Sequence, residues 1–165
     1  MNHRERQKGL GRSKGSDRIQ VNNILAAACV TMLSVLLSFS GERFSDWMVV
    51  QLAAATPLLV TSSLAYAKIS YRDAKETPIW DNLGWATLSL GYIALLNALA
   101  IVLTATNHPA ASWWFMGVTI LLFVVYSVLD VKADRKTLKE KAWKLGFYLA
   151  LMFLGAILPI LARWV

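Results

Sequence analysis

Long uncharged stretches alternate with short charged segments along this chain. Residues 19–41, 47–67, 82–129 and 145–162 contain no Asp, Glu, Lys or Arg, and apolar side chains fill most of each stretch. A helix needs ~20 such residues to cross a hydrocarbon core of about 30 Å. The longest stretch exceeds one span, and the sequence Asn107-His108-Pro109 within it is typical of a turn. The pattern therefore predicts five membrane-spanning helices, at residues 22–39, 47–67, 79–105, 112–129 and 145–162.

The composition favours the same class of protein. Hydrophobic residues make up 56% of the 165 residues and charged residues only 16%, against about a quarter in ordinary globular proteins. So few charges cannot cover a soluble domain of this length, which argues against a soluble enzyme or a nucleic-acid-binding domain. We predict an all-α, polytopic membrane protein in which residues 19–165 form a single five-helix transmembrane bundle. Residues 1–18 are rich in Gly, Ser and bases and are predicted to be a disordered cytoplasmic tail.

The basic residues indicate an orientation in the membrane. Of the 17 Lys and Arg residues, 15 fall in the N-terminal segment and in the second and fourth loops, and two fall in the other segments. Because cytoplasmic segments carry the excess of bases, the N-terminus is predicted to be in the cytoplasm and the C-terminus outside. The seven Trp residues each lie near the end of a predicted span, where membrane interfaces favour them. This topology accounts for most of the net charge of +7, so no nucleic-acid partner is predicted.

One face of the first predicted helix carries small and hydroxylated residues. Ala27, Thr31, Ser34 and Ser38 follow one another at spacings that place them in a line, and Glu42 lies one turn beyond. Such a face is typical of close packing between membrane helices. In an oligomer the same face would line a pore, and Thr31, Ser34, Ser38 and Glu42 are then the pore-lining candidates.

The third predicted helix has a second face of small residues. Gly84, Gly91, Ala94 and Ala98 are its helix-packing candidates. Their spacing predicts close contact with a neighbouring helix, because small side chains let two backbones approach.

Two amide side chains fall within apolar spans. Gln51 lies in a polar sector of the second helix, and Asn97 lies beside the small-residue face of the third. An amide in hydrocarbon needs a hydrogen-bond partner, so Asn97 is predicted to join two helices, with a permeation contact as the alternative. Pro57 and Pro159 each free a backbone carbonyl one turn earlier, and we expect at each either a simple kink or, as the functional alternative, a hinge or a small-solute site.

The remaining charged and reactive residues predict little chemistry. Lys68 and Asp130 are expected at a similar depth near the cytoplasmic boundary, where they form an ion pair or reach separately to lipid headgroups. His108 has no neighbouring ligand, so no metal site is predicted, and the single Cys29 allows no intrachain disulfide.

No cofactor is expected. The predicted partners are the bilayer, anionic lipids at the cytoplasmic face and further copies of the chain, with an acidic cytosolic protein as an alternative partner of the basic tail.

Two functional hypotheses follow from these features. No catalytic constellation lies near a predicted interface, so an enzyme is not predicted. The tetrad RFSD at residues 43–46 also occurs in the first helix of a potassium-channel family, but here it precedes the second helix and assigns no family. The first hypothesis is a homo-oligomeric pore or ion channel with its path on the symmetry axis. The second is a non-conducting assembly, accessory or immunity-type subunit. A bacterial plasma membrane is the expected location of this multi-pass protein.

The predicted topology can be tested by cysteine labelling. In a Cys29→Ser background, single cysteines at Lys139 and Asn107 should react with a membrane-impermeant thiol reagent from opposite sides of the membrane, because the basic fourth loop and the base-free third loop lie on opposite sides. Labelling of intact cells and of inverted vesicles measures the side. If both positions reacted from the same side, the five-span topology would be wrong.

Overall fold

The structure, a computed structural model, describes residues 3–38, 45–69, 77–133 and 138–162, and the side chains of these residues except 3–15, 130 and 133. Its helices are α1 (His3–Ser38), α2 (Asp46–Ile69), α3 (Thr77–Ala105), α4 (Pro109–Ala133) and α5 (Leu138–Met152). α5 continues through a π-helical turn (Phe153–Ile157) into a last α-helical turn, α6 (Leu158–Leu161). The described residues contain no strand, so the prediction of an all-α protein is confirmed.

Among the described residues, five helical segments are long and apolar enough to cross a membrane. They are Ser16–Ser38, Asp46–Ile69, Thr77–Ala105, Pro109–Leu129 and Leu138–Leu161. Each contains or largely overlaps one of the predicted spans, and together they indicate a multi-pass integral membrane protein. The fifth segment combines α5, the π-helical turn and α6, and we call it the fifth span.

α1 is longer than its apolar part. The helix begins at His3. The assignment of residues 1–18 as a disordered cytoplasmic tail stays a prediction. Helix propagation adds one hydrogen bond for each residue fixed once a nucleus exists, and the apolar part of α1 supplies that nucleus. The basic segment is therefore a helical extension of the first span over residues 3–18.

Local sequence signals account for the ends of the helices. Ser45 caps α2, because its Oγ accepts a hydrogen bond from the Trp47 backbone N–H at 3.2 Å. α3 ends at the predicted turn, where the His108 N–H donates to the Leu103 carbonyl and the Asn107 N–H to the Thr104 carbonyl. Asn107 adopts a positive φ of 62°, a left-handed conformation that Asn tolerates better than most residues.

The chain forms two compact units. The first comprises Met1–Phe39 and Leu52–Tyr92, and the second comprises Ser40–Gln51 and Ile93–Val165. In the second unit, the buried Ser112 of α4 donates from Oγ to the Ala100 carbonyl of α3 at 2.7 Å. The rings of Phe123 on α4 and Tyr148 on α5 pack at a centroid distance of 5.6 Å.

Polar side chains join α1, α2 and α3 within the first unit. Asn22 Nδ2 donates to Ser62 Oγ at 2.8 Å, and Ser62 Oγ donates to the Gly84 carbonyl at 2.7 Å. Ser63 Oγ donates to Asn23 Oδ1 at 2.9 Å. Asn22 and Ser62 are completely buried, so these bonds supply the partners that water would otherwise provide.

Arg18, one turn before Asn22 on α1, also contacts residues of α2 and α3. Arg18 Nη1 lies 3.0 Å from Asp81 Oδ1, and the guanidinium carbon lies 5.0 Å from the centroid of the Tyr66 ring. The Arg18 and Asp81 side chains are about half exposed, so the ion pair contributes no more than ~1 kcal/mol. The Tyr66 ring packs over Gly84, where a Cβ atom would come within 3.0 Å of it.

The ion pair expected between Lys68 and Asp130 stays a prediction. Lys68 is exposed at the end of α2, and the side chain of Asp130 lies outside the described part of the structure. The sequence analysis did not predict the pair between Arg18 and Asp81.

Gly91 lies where α3 packs closely against α2 in the first unit. A Cβ atom there would lie 3.0 Å from Leu59 Cγ and 3.2 Å from the Ala55 carbonyl oxygen. We expect Gly91→Leu to lower the thermal denaturation midpoint in detergent, because a bulky side chain forces the two helices apart at a cost of about 1–3 kcal/mol. Gly117→Leu on α4 is the control, since nothing lies within 4 Å of a Cβ there. Equal midpoints for the two variants would contradict the close packing.

Candidate functional site

Pro159 determines the backbone of the fifth span. In a regular α-helix the Gly155 carbonyl would accept a hydrogen bond from the backbone N–H of residue 159, but proline has none and its ring displaces the carbonyl one turn earlier. The helix responds with the π-helical turn, in which the Leu158 N–H donates to the Phe153 carbonyl, five residues back. The Gly155 carbonyl is thereby left open to side-chain donors.

Two side chains at the start of α2 supply those donors. Trp47 Nε1 donates to the Gly155 carbonyl at 3.0 Å, and Gln51 Nε2 donates to the same oxygen at 2.7 Å. Trp47 and Gln51 are four residues apart, so they lie on the same face of α2. A carbonyl oxygen has two lone pairs, and here each has its own donor.

Asn97 of α3 approaches the same turn. Its Nδ2 donates to the Leu151 carbonyl at 3.2 Å, and the residue is only 3% exposed. Asn97 Oδ1 is buried, and among the described residues no group donates to it. We call Trp47, Gln51, Asn97, Leu151 and Gly155 the polar centre; all five belong to the second unit.

Gly155 has no side chain because the two amides occupy that space. A Cβ atom at Gly155 would lie 2.0 Å from Asn97 Nδ2, 2.9 Å from Asn97 Cγ and 3.2 Å from Gln51 Oε1. Contacts below 3.0 Å require something to move. The glycine therefore allows the amides of α2 and α3 to reach the backbone of the fifth span.

The hydroxyl groups predicted on α1 bond to their own helix. Thr31, Ser34 and Ser38 donate to the carbonyls of residues 27, 30 and 34 at 2.8–2.9 Å, and all three side chains are exposed. Their face is opposite to the one that buries Cys29 and Leu36. Glu42, the fourth pore-lining candidate, lies outside the described residues.

The small residues of α3 lie in two parts of the chain. Gly84 and Gly91 contact side chains of α2 in the first unit, and Ala98 in the second unit is completely buried, whereas Ala94 is partly buried.

Pro57 of α2 is exposed and its helix continues through it. The described residues contain no group of three or more His, Cys, Asp or Glu residues that could hold a metal ion.

Sequence reasoning named Gln51, Asn97 and Pro159 but did not bring them together. It missed Trp47, which was placed at a span end for its interfacial preference, and Gly155. One signal was available, since the carbonyl that a proline frees belongs to the residue four positions earlier, and for Pro159 that residue is a glycine. Which helix supplies the donors depends on helix rotation, which the sequence pattern does not fix.

Comparisons with protein-family models, with curated proteins and with solved structures find no match to this chain. The site must therefore be judged from its own chemistry, which is that of hydrogen-bond donors and acceptors without a charged group.

Substituting Gly155 tests the polar centre. We expect Gly155→Ala to lower the thermal midpoint in detergent by the equivalent of about 1–3 kcal/mol, because the new methyl group displaces the buried Asn97 amide from Leu151. Gly146→Ala is the matched control on α5, because its Cβ meets nothing within 4 Å and alanine favours a helix over glycine. If Gly155→Ala were as stable as Gly146→Ala, the tight contact at Gly155 would be disproved.

Proposed function

We propose that the protein is a small homo-oligomeric membrane pore whose path runs along the symmetry axis between copies of α1. The N-terminus then lies in the cytoplasm and the C-terminus outside, as the distribution of bases indicates. A bacterial plasma membrane is the proposed location. The exposed row of Thr31, Ser34 and Ser38 is the observation that carries this proposal.

The hydrogen bonds of that row define its chemistry. Each hydroxyl group has one donor hydrogen and two acceptor lone pairs. Because each donor is used on a carbonyl of α1, the oxygen presents acceptor lone pairs on the exposed face. A ring of such oxygens around an axis favours cations over anions. Glu42 follows one turn beyond Ser38 in the sequence and would add negative charge at the outer mouth.

The burial of the helices also supports an assembly around α1. Only 17% of the first apolar span is buried, as of the fourth and fifth, against 44% of the second and 50% of the third, and of the three exposed spans α1 carries the row of hydroxyl groups. α1 therefore keeps most of its surface for lipid or for other copies of the chain. A polar row on a face of that kind is better satisfied against other copies than against lipid tails.

The second candidate function is a non-conducting subunit that acts through helix contacts and its basic cytoplasmic face. The helical extension of α1 over residues 3–18 favours this candidate, because the bases of the N-terminal segment lie on a helix that continues beyond the apolar span. Anionic lipids or an acidic cytosolic protein are the proposed partners of that extension. In this case the row on α1 is a dry packing face.

Thiol modification distinguishes the two candidates. In a Cys29→Ser background, we expect Ser34→Cys to react with a small water-soluble thiol reagent and to reduce cation flux into liposomes, because Ser34 faces the path. Val35→Cys is the control, since Val35 is 48% exposed but is turned by about 100° from Ser34 around α1. Flux without any effect of modification at Ser34 would place the path elsewhere. Complete protection of Ser34→Cys in an assembly without flux would favour the non-conducting subunit.

A further inference from the structure

The polar centre contains one buried acceptor to which no described group donates. The side chain of Trp47 has a single N–H, at Nε1, and that group donates to the Gly155 carbonyl. Gln51 Nε2 donates to the same carbonyl, and Asn97 Nδ2 donates to Leu151. Asn97 Oδ1 is left buried, and none of the described groups donates to it. Leaving an amide oxygen unsatisfied in an apolar region costs several kcal/mol, which favours a bound donor at this position.

The π-helical turn leaves a second acceptor, the Leu154 carbonyl, next to Gly155 in the sequence. In an α-helix the Leu158 N–H would donate to the Leu154 carbonyl, but here it donates to Phe153 instead. The next donor along the backbone would be residue 159, which is proline. Leu154 therefore loses its usual backbone donor at the place where the fifth span meets Asn97.

We propose that the polar centre binds one small neutral hydrogen-bond donor, an O–H group held at Asn97 Oδ1. The donor is a water molecule or the hydroxyl group of a small solute. This site belongs to the second unit, whereas the row of hydroxyl groups on α1 belongs to the first, and the proposal does not depend on the proposed pore.

The charge of the surroundings selects a neutral ligand. The stretches of sequence that hold Gln51, Asn97 and Gly155 contain no Asp, Glu, Lys or Arg. An ion taken into such surroundings would lose its hydration without gaining a counter-charge, which is expensive in an apolar medium. A neutral O–H group satisfies the acceptor without that cost.

The geometry also limits where a ligand can approach. Asn97 lies so close to Gly155 that a single methyl group would collide with its amide nitrogen, so the space between these two residues is filled. The ligand must reach Oδ1 from another side. The ligand's oxygen can also accept a hydrogen bond. The side-chain amide nitrogens of Gln51 and Asn97 have two hydrogens each, and the bonds to the Gly155 and Leu151 carbonyls use one from each, so one hydrogen remains on each nitrogen. A buried water typically makes about three hydrogen bonds, and this centre offers that combination.

Solid-state NMR of the full chain in perdeuterated lipid vesicles tests the proposal. Asparagine is labelled with ¹³C at Cγ, and magnetisation is transferred selectively from water protons. We expect the Asn97 Cγ signal, assigned by its loss in Asn97→Leu, to receive water magnetisation although the residue is buried. Asn107 in the exposed turn is the positive control. In a second arm, glycerol is titrated into the vesicles, and the Asn97 Cγ shift is followed.

Each outcome decides the proposal. Water transfer without a response to glycerol supports a bound water, and a saturable shift with glycerol supports a solute site. If Asn97 receives no water magnetisation while Asn107 does, and glycerol causes no shift, the proposal is overturned. Gly155→Ala should abolish the Asn97 response and Gly146→Ala should retain it, because only the first places a methyl group at the amide.

Discussion

The second unit depends on one backbone carbonyl that its own helix does not satisfy. Pro159 removes the donor that the Gly155 carbonyl would otherwise have, so this oxygen takes its hydrogen bonds from outside its own helix. Two side chains of α2 bond to this oxygen, and an amide of α3 bonds to the helix one turn earlier. A local defect of the fifth span thus becomes the contact by which three segments of the chain recognise one another. The apolar surfaces of these helices alone would not specify that register, because they are similar to one another and to lipid tails.

The first unit follows the same physical rule with other residues. The Gly84 carbonyl accepts from Ser62, which in turn accepts from Asn22. In both units the accepting carbonyl belongs to a glycine, and the donor comes from a side chain of α2. Glycine permits the close approach, and the hydrogen bond makes that approach specific, since a shifted helix would leave a buried polar group unsatisfied. Asn22 and Asn97 each have a buried Oδ1 to which no described group donates.

The sequence predicted what depends on hydropathy along the chain and missed what depends on helix rotation. The five spans and the turn at Asn107 follow from stretches that lack charge and from a local backbone preference. The pair between Arg18 and Asp81 was missed because depth in the membrane is readable from sequence, whereas the facing of two helices is not. Gln51 and Asn97 were identified as polar residues that need partners. Their partners are backbone atoms, and no residue type reveals these.

The π-helical turn has a consequence for insertions and deletions. A turn of this kind accommodates one residue more than an α-helix would need for the same rise, so it changes which faces are aligned before and after it. Deleting Ala156 or Ile157, which follow the Gly155 contact, would restore α-helical spacing and leave the residues on either side of the turn close to their present orientation. Length variation in the fifth span is therefore most easily absorbed at this turn. The same change within α5 would instead rotate Leu151 and Gly155 away from the amides that hold them, so the span has one place that tolerates a change of length and a longer part that does not.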